Sequence, residues 1–131
     1  MIAQDRTDAT LEGLRILVVE DEYLLADEMD YELAAIGAVV LGPAGSAREA
    51  IDLIQGEARI DGAALDLNLG GEPAFEVADL LARRGVPFVF TTGYDATMIP
   101  TRHAHVVLCE KPVRMARVAS AIAAAIAAQG G

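Results

Sequence analysis

Three things are scarce in this chain: cysteine, basic residues and long apolar runs. Cys109 is its one cysteine, so no internal disulfide can form and a reducing compartment is expected. That thiol lies in an apolar, strand-like run, where it is expected to be buried and inert. Lys and Arg together number 10 against 20 Asp and Glu, a formal net charge of −10. Nucleic-acid binding needs clustered cations to neutralise phosphates. Arg83-Arg84 and Arg114 with Arg117 are only pairs, suited to helix C-termini or to solvent. No apolar stretch approaches the ~20 residues of a membrane span. Met1 to Gly13 is polar and acidic, unlike a secretion signal. These absences point to a cytoplasmic domain with no nucleic-acid or membrane partner, and a monomer is expected.

What is present is material for one core: 53% of the 131 residues are hydrophobic, enough for a single domain. Residues 1–13 read as a flexible tail, 14–128 as the folded domain and 129–131 as a C-terminal tail. A first strand is predicted over Arg15 to Val19. Leu25, Met29, Leu33 and Ile36 then recur at helical spacing and stop at Gly37. Ala38 to Leu41 is predicted as a second strand, closed by Gly42-Pro43. Ser46 with Glu49 three residues later forms a capping box for a helix carrying Ala47, Ala50, Ile51 and Ile54. A third strand runs into Asp66, and Pro73 is placed in the first turn of the helix bearing Phe75, Ala78, Leu81 and Ala82. Pro87 starts strand four, and His105 to Cys109 is predicted as strand five. Met115, Val118, Ala119, Ile122, Ala125 and Ile126 line a long final helix. Between Thr92 and His105 no apolar stripe appears, so the fourth helix is expected to be short or irregular. Strands alternating with helices imply a parallel α/β sheet with helices on both faces.

The strand ends carry the chemistry. Ile16-Leu17-Val18-Val19 runs into Glu20-Asp21-Glu22, and Ala63-Ala64-Leu65 runs into Asp66. Phe88-Val89-Phe90 ends in Thr91-Thr92-Gly93, and Val106-Val107-Leu108 leads to Lys111-Pro112. One parallel sheet brings these acids, this hydroxyl and this ammonium to the carboxyl edge, where open α/β sheets bind ligands. Mg²⁺ takes oxygen ligands and keeps several waters. Asp21 and Asp66 are suited to bind it directly with the Asn68 backbone carbonyl, and Glu20 through a water. Carboxylates so clustered either hold a cation or lift a pKa. Asp66 would then accept a phosphoryl group, with Lys111 and Thr92 supplying positive charge and a hydroxyl to its oxygens. Gly93 leaves the approach open. His103 and His105 lack partners at metal-ligand spacing and read as a partly exposed pair at a strand start.

From about residue 14 to 128 the chain resembles a response-regulator receiver domain. The resemblance rests on Glu20-Asp21, on Asp66 with Asn68 two residues later, on Thr92 followed by Gly93, and on Lys111-Pro112, in that order. Phe90-Thr91-Thr92-Gly93-Tyr94 also resembles the Phe-Ala-Thr-Gly-hydrophobic-Tyr motif of a subgroup of mostly single-domain receivers. Thr91 departs from its alanine, and Asp95 stands where its final tyrosine belongs. The resemblance implies a doubly wound, flavodoxin-like sheet of five parallel strands in order 2-1-3-4-5. It also implies a two-component signalling protein that takes phosphate from a sensor histidine kinase or phosphotransfer protein onto Asp66 with Mg²⁺. Such a protein is not an enzyme beyond its own phosphorylation and dephosphorylation. With three residues after the final helix, a stand-alone receiver is expected, its output a contact with a downstream protein or the drainage of phosphate.

Receivers commonly couple phosphorylation to an aromatic three residues before the lysine, and here that residue is Leu108. Thr92 and Tyr94 are therefore the expected switch residues, and Tyr94 to Arg102 the mobile segment. Two other classes compete. One is an adaptor that docks without phosphorylation, which intact Asp66, Thr92 and Lys111 count against. The other is an enzyme or redox carrier on a similar sheet. Glu20-Asp21-Glu22 would repel a flavin phosphate after strand one, and Glu20-Asp21-Glu22-Tyr23 lacks the Asp-x-Asp of haloacid-dehalogenase-like phosphatases.

Overall fold

The computed structural model describes residues 11–93 and 99–130. Five parallel strands form the sheet: β1 (Arg15–Val19), β2 (Val39–Ala44), β3 (Gly62–Asp66), β4 (Phe88–Thr92) and β5 (Leu108–Glu110), in the order β2-β1-β3-β4-β5. Among the described residues four α-helices flank the sheet: α1 (Tyr23–Ala35), α2 (Ala47–Gly56), α3 (Phe75–Arg83) and α4 (Met115–Gly130). This is the doubly wound α/β topology read from the sequence. The central strand β3 is buried throughout, as expected for a parallel strand covered on both faces.

Alternation along the strands divides the core into two layers. Leu17, Val19, Ala63, Leu65, Phe88 and Phe90 pack with Ala50 and Ile54 of α2 and with Val77, Ala78 and Leu81 of α3. Ile16, Val18, Ala64, Val89 and Cys109 pack with Met29 and Leu33 of α1 and with Val118 and Ile122 of α4. Gly62 allows α4 to sit close to β3, because a Cβ there would lie 3.0 Å from Ile122 Cγ2 and 3.2 Å from Ile126 Cδ1.

The helix ends follow local chemistry with small shifts. Gly37, at φ 93°, ends the α1 region. Ser46 Oγ accepts from Glu49 N at 3.1 Å, while Glu49 Oε1 accepts from Gly45 N at 2.7 Å. The capping box thus closes one residue upstream of the cap. Pro73 lies outside α3, contrary to the sequence reading. It pairs with Asn68 in a short hairpin, Asn68–Leu69 against Glu72–Pro73, and α3 starts at Phe75. Gly70 (φ 58°) and Gly71 (φ 92°) form the turn, as a two-residue hairpin loop with both φ positive requires.

Two strand boundaries also move. β2 passes through Gly42-Pro43 to Ala44, with a register shift against β1 between Leu17 and Val19. Strand β5 begins later than predicted because Val106 N–H turns back to the His103 carbonyl at 3.1 Å. The Gly42-Pro43 and Lys111-Pro112 peptide bonds are both cis. Packing begins before residue 14: Leu11 is fully buried among Leu33, Val18 and their neighbours.

Between β4 and β5 the described residues contain one turn of 3₁₀ helix, Thr101–His103, in place of a full fourth helix. Ile99 packs against the core, and Arg102 pairs with Asp79 of α3 at 2.8 Å. His103 is not the half-exposed residue expected. It is 3% exposed, its Nε2 lies 2.7 Å from Asp79 Oδ1, and its ring stacks on Phe75 at 6.4 Å between centroids. Phe88 and Phe90 meet the same ring edge-on. His105 is exposed.

Candidate phosphoacceptor site

Parallel pairing brings the ends of β1, β3 and β4 level: Val19 pairs with Leu65, and Asp66 with Thr91. The residues that follow Val19 therefore reach Asp66. Asp66 is 3% exposed. Its Oδ1 accepts from Asn68 N at 3.0 Å and its Oδ2 from Lys111 Nζ at 3.1 Å. Glu20 is 2% exposed. Its Oε2 accepts from Glu22 N at 3.0 Å and from Lys111 Nζ at 3.2 Å. Its Oε1 is buried without a hydrogen-bond partner among the described residues. Asp21 is exposed, and its Oδ2 accepts from Gly70 N at 2.8 Å, tying the hairpin to the end of β1.

The cluster holds more negative than positive charge, and its protonation reflects that. Burial pushes the Glu20 carboxyl up to about 7, with the Asp66 charge adding to the rise. The Glu22 N–H and the Lys111 ammonium oppose it without prevailing. For Lys111, burial acts to lower the pKa, but Asp66, Glu20 and Glu22 outweigh it and raise the value. The ammonium is thus permanent, while one carboxyl is poised to keep its proton near neutrality.

Glu20, Asp21 and Asp66 each offer an oxygen, and the three lie within 4.8 Å of one another. That spacing, the hard oxygen donors and the unpartnered Glu20 Oε1 fit a divalent cation such as Mg²⁺. Above the cluster opens a cavity of about 620 Å³, bordered by Asp66, Asn68, Gly70, Gly93, Lys111 and Glu22. A phosphoryl group and a cation with its waters fit that space.

Thr92 is buried at the end of β4, and its carbonyl accepts from Lys111 N at 2.7 Å. The sheet thus brings Glu20, Asp21, Asp66, Asn68, Thr92 and Lys111 to one edge, as their strand-end positions required. Tyr94, the expected second switch residue, lies outside the described residues. Two features were missed. Glu22 Oε1 accepts from Lys111 Nζ at 3.2 Å; its place beside Glu20-Asp21 was the available signal. Thr91 Oγ1 is buried without a partner among the described residues, on the sheet face opposite Phe90.

An α/β sheet in this order with an acid triad and a lysine at its carboxyl edge defines a receiver-type domain. Solved structures agree. A response regulator receiver protein from Sinorhizobium medicae WSM419 superposes with a TM-score of 0.77 at 25% identity, over 91% of this chain and 98% of that one. SdrG from Sphingomonas melonis Fr1 shares 33% identity with a TM-score of 0.72, over 91% of this chain and 98% of that one. Among curated proteins, the sensory transduction protein LytT of Bacillus cereus is 35% identical over 85 residues, 63% of this chain. The chain spans about a third of the length of the curated relatives it matches, 34% in each case. No family model matches the sequence. The chain belongs to the response-regulator receiver family of two-component signal transduction.

Proposed function

We propose that this receiver accepts a phosphoryl group onto Asp66 from the phosphohistidine of a sensor kinase or phosphotransfer protein. The observation that carries this is the pairing of a buried Asp66 carboxylate with Lys111 Nζ, at 3.1 Å, beside the Glu20-Asp21 acids. An Asp66 oxygen attacks phosphorus, the P–N bond breaks as the P–O bond forms, and the departing imidazole keeps the electron pair and takes a proton. Lys111 balances charge on one phosphoryl oxygen, and Thr92 offers its hydroxyl to another. Asn68 N–H and Lys111 orient the nucleophile before the donor arrives. Asp21, Asp66 and the Asn68 carbonyl, with Glu20 through a water, would hold Mg²⁺, which would supply charge neutralisation for the transferring group.

Further parts of this reading extend it. The receiver acts in the cytoplasm, passing its signal by contact with a protein partner or draining phosphate from a kinase. Phe90-Thr91-Thr92-Gly93 supports placement in the Phe-Ala-Thr-Gly-hydrophobic-Tyr subgroup. The test is phosphotransfer profiling against candidate phosphorylated kinases and phosphotransfer proteins, with Asp66→Asn as control. A rapid, Mg²⁺-dependent transfer from one donor, absent in the variant, is expected. Transfer from no donor, with partner binding intact, would favour a docking adaptor.

A further inference from the structure

The Lys111 ammonium has three N–H donors, and three carboxylates take them: Asp66 at 3.1 Å, Glu20 at 3.2 Å and Glu22 at 3.2 Å. Donation to a phosphoryl oxygen therefore requires one of these bonds to be exchanged. The three differ in how much they resist. Glu20 is buried, with one oxygen already lacking a partner, so a further loss falls on a group that water cannot reach. Asp66 is the nucleophile in the reading above and remains attached to the incoming group. Glu22 is different: its side chain is 66% exposed at the cavity mouth. Its carboxylate passes back into water at little expense. Exposed ion pairs are weak and yield readily.

Resting on that reading of Asp66, we propose that Glu22 is a positioning residue. It occupies the Lys111 donor that the phosphoryl group later needs, and so sets how readily the site charges. Lys111 is held toward the mouth in the resting state, and the exchange of Glu22 for a phosphoryl oxygen accompanies phosphorylation. Removing the Glu22 charge frees that donor in advance.

The test compares wild type with Glu22→Gln and Glu28→Gln. Glu28 lines the same cavity but has no ion pair among the described residues, so it reports the general field at the mouth. Two quantities are read in the presence of Mg²⁺: affinity for fluoroberyllate, a phosphoryl mimic, and the rate of phosphorylation by phosphoramidate. Glu22→Gln is expected to tighten fluoroberyllate binding and speed phosphorylation by about two- to five-fold, the scale of an exposed ion pair. Melting temperature should stay nearly constant, and the gain should shrink as salt rises. Equal gains in Glu28→Gln would overturn the proposal, leaving only a field effect. Unchanged or weaker binding in Glu22→Gln, with wild type charging normally on Asp66, would overturn it while leaving the phosphoacceptor reading intact. Failure of wild type itself to take up phosphate would overturn both.

Discussion

A carboxyl group that is 2% exposed, with one oxygen lacking a partner, resists ionisation, and burial raises Glu20 to about 7. Because the folded value lies above the ordinary 4.5, the protonated group favours the fold. That contribution is full below about pH 4.5 and is lost as pH rises through about 7. A divalent cation needs the ionised form, so proton and metal compete. The difference in melting temperature with and without Mg²⁺ is therefore expected to widen between about pH 6 and pH 8. In Glu20→Gln that widening should vanish. A difference that stays flat with pH in wild type would place Glu20 outside the cation's reach. At this scale most of the site was readable, since Asp21, Asp66, Asn68 and Lys111 sit at strand ends whatever their side chains do. The Glu22–Lys111 pair was not, because it depends on where two long side chains meet across 89 positions.

The connection between β4 and β5 is short and irregular, as the sequence reading expected, but its anchoring was not foreseen. There, one 3₁₀ turn is fastened to α3 by Asp79, which accepts from Arg102 at 2.8 Å and meets His103 at 2.7 Å. Nothing local in Thr101-Arg102-His103 announces this, because Asp79 lies on another element and the aromatic cage draws on α3 and β4. Period and turn signals placed the strands and helices to within a few residues. They failed where the hairpin took Pro73 from α3 and where β2 carried on through Gly42-Pro43. Asp79→Ala is expected to cost about 1–2 kcal/mol in urea unfolding, as three bonds are removed and His103 is left buried without its partner. His103→Ala opens a hole among three phenylalanines and should cost about 2–4 kcal/mol. The Arg102 guanidinium holds Asp79 down to about 2; burial opposes it, and the smaller pull of His103 adds to the lowering. Asp79 therefore stabilises the fold above its ordinary 3.8, and that stabilisation is lost as pH falls through about 2. If Asp79→Ala matched wild type from pH 5 to pH 8, the connection would be held by Ile99 and the rings alone.

Across the whole molecule, the alternation of strand and helix determined the sheet order, and the sheet order determined which residues share its carboxyl edge. That is why the fold and the clustering of Asp66 with Glu20, Asp21 and Lys111 were accessible from one sequence, while rim contacts and the anchoring of the β4–β5 connection needed three dimensions. Close packing of α4 on β3 is part of the same frame. Gly62→Val should push Ile122 and Ile126 away and destabilise the domain by about 1–3 kcal/mol, read as a lowered melting temperature. The central claim, that this frame presents Asp66 as a phosphoryl acceptor, is tested most directly by chemical trapping. The protein is incubated with phosphoramidate and Mg²⁺, reduced with borohydride, which converts an aspartyl phosphate to homoserine, and mapped by peptide mass spectrometry. The account predicts homoserine at position 66 and nowhere else, dependent on Mg²⁺ and absent in Asp66→Asn. Conversion at another aspartate, or none at position 66 in a folded, Mg²⁺-loaded protein, would contradict it.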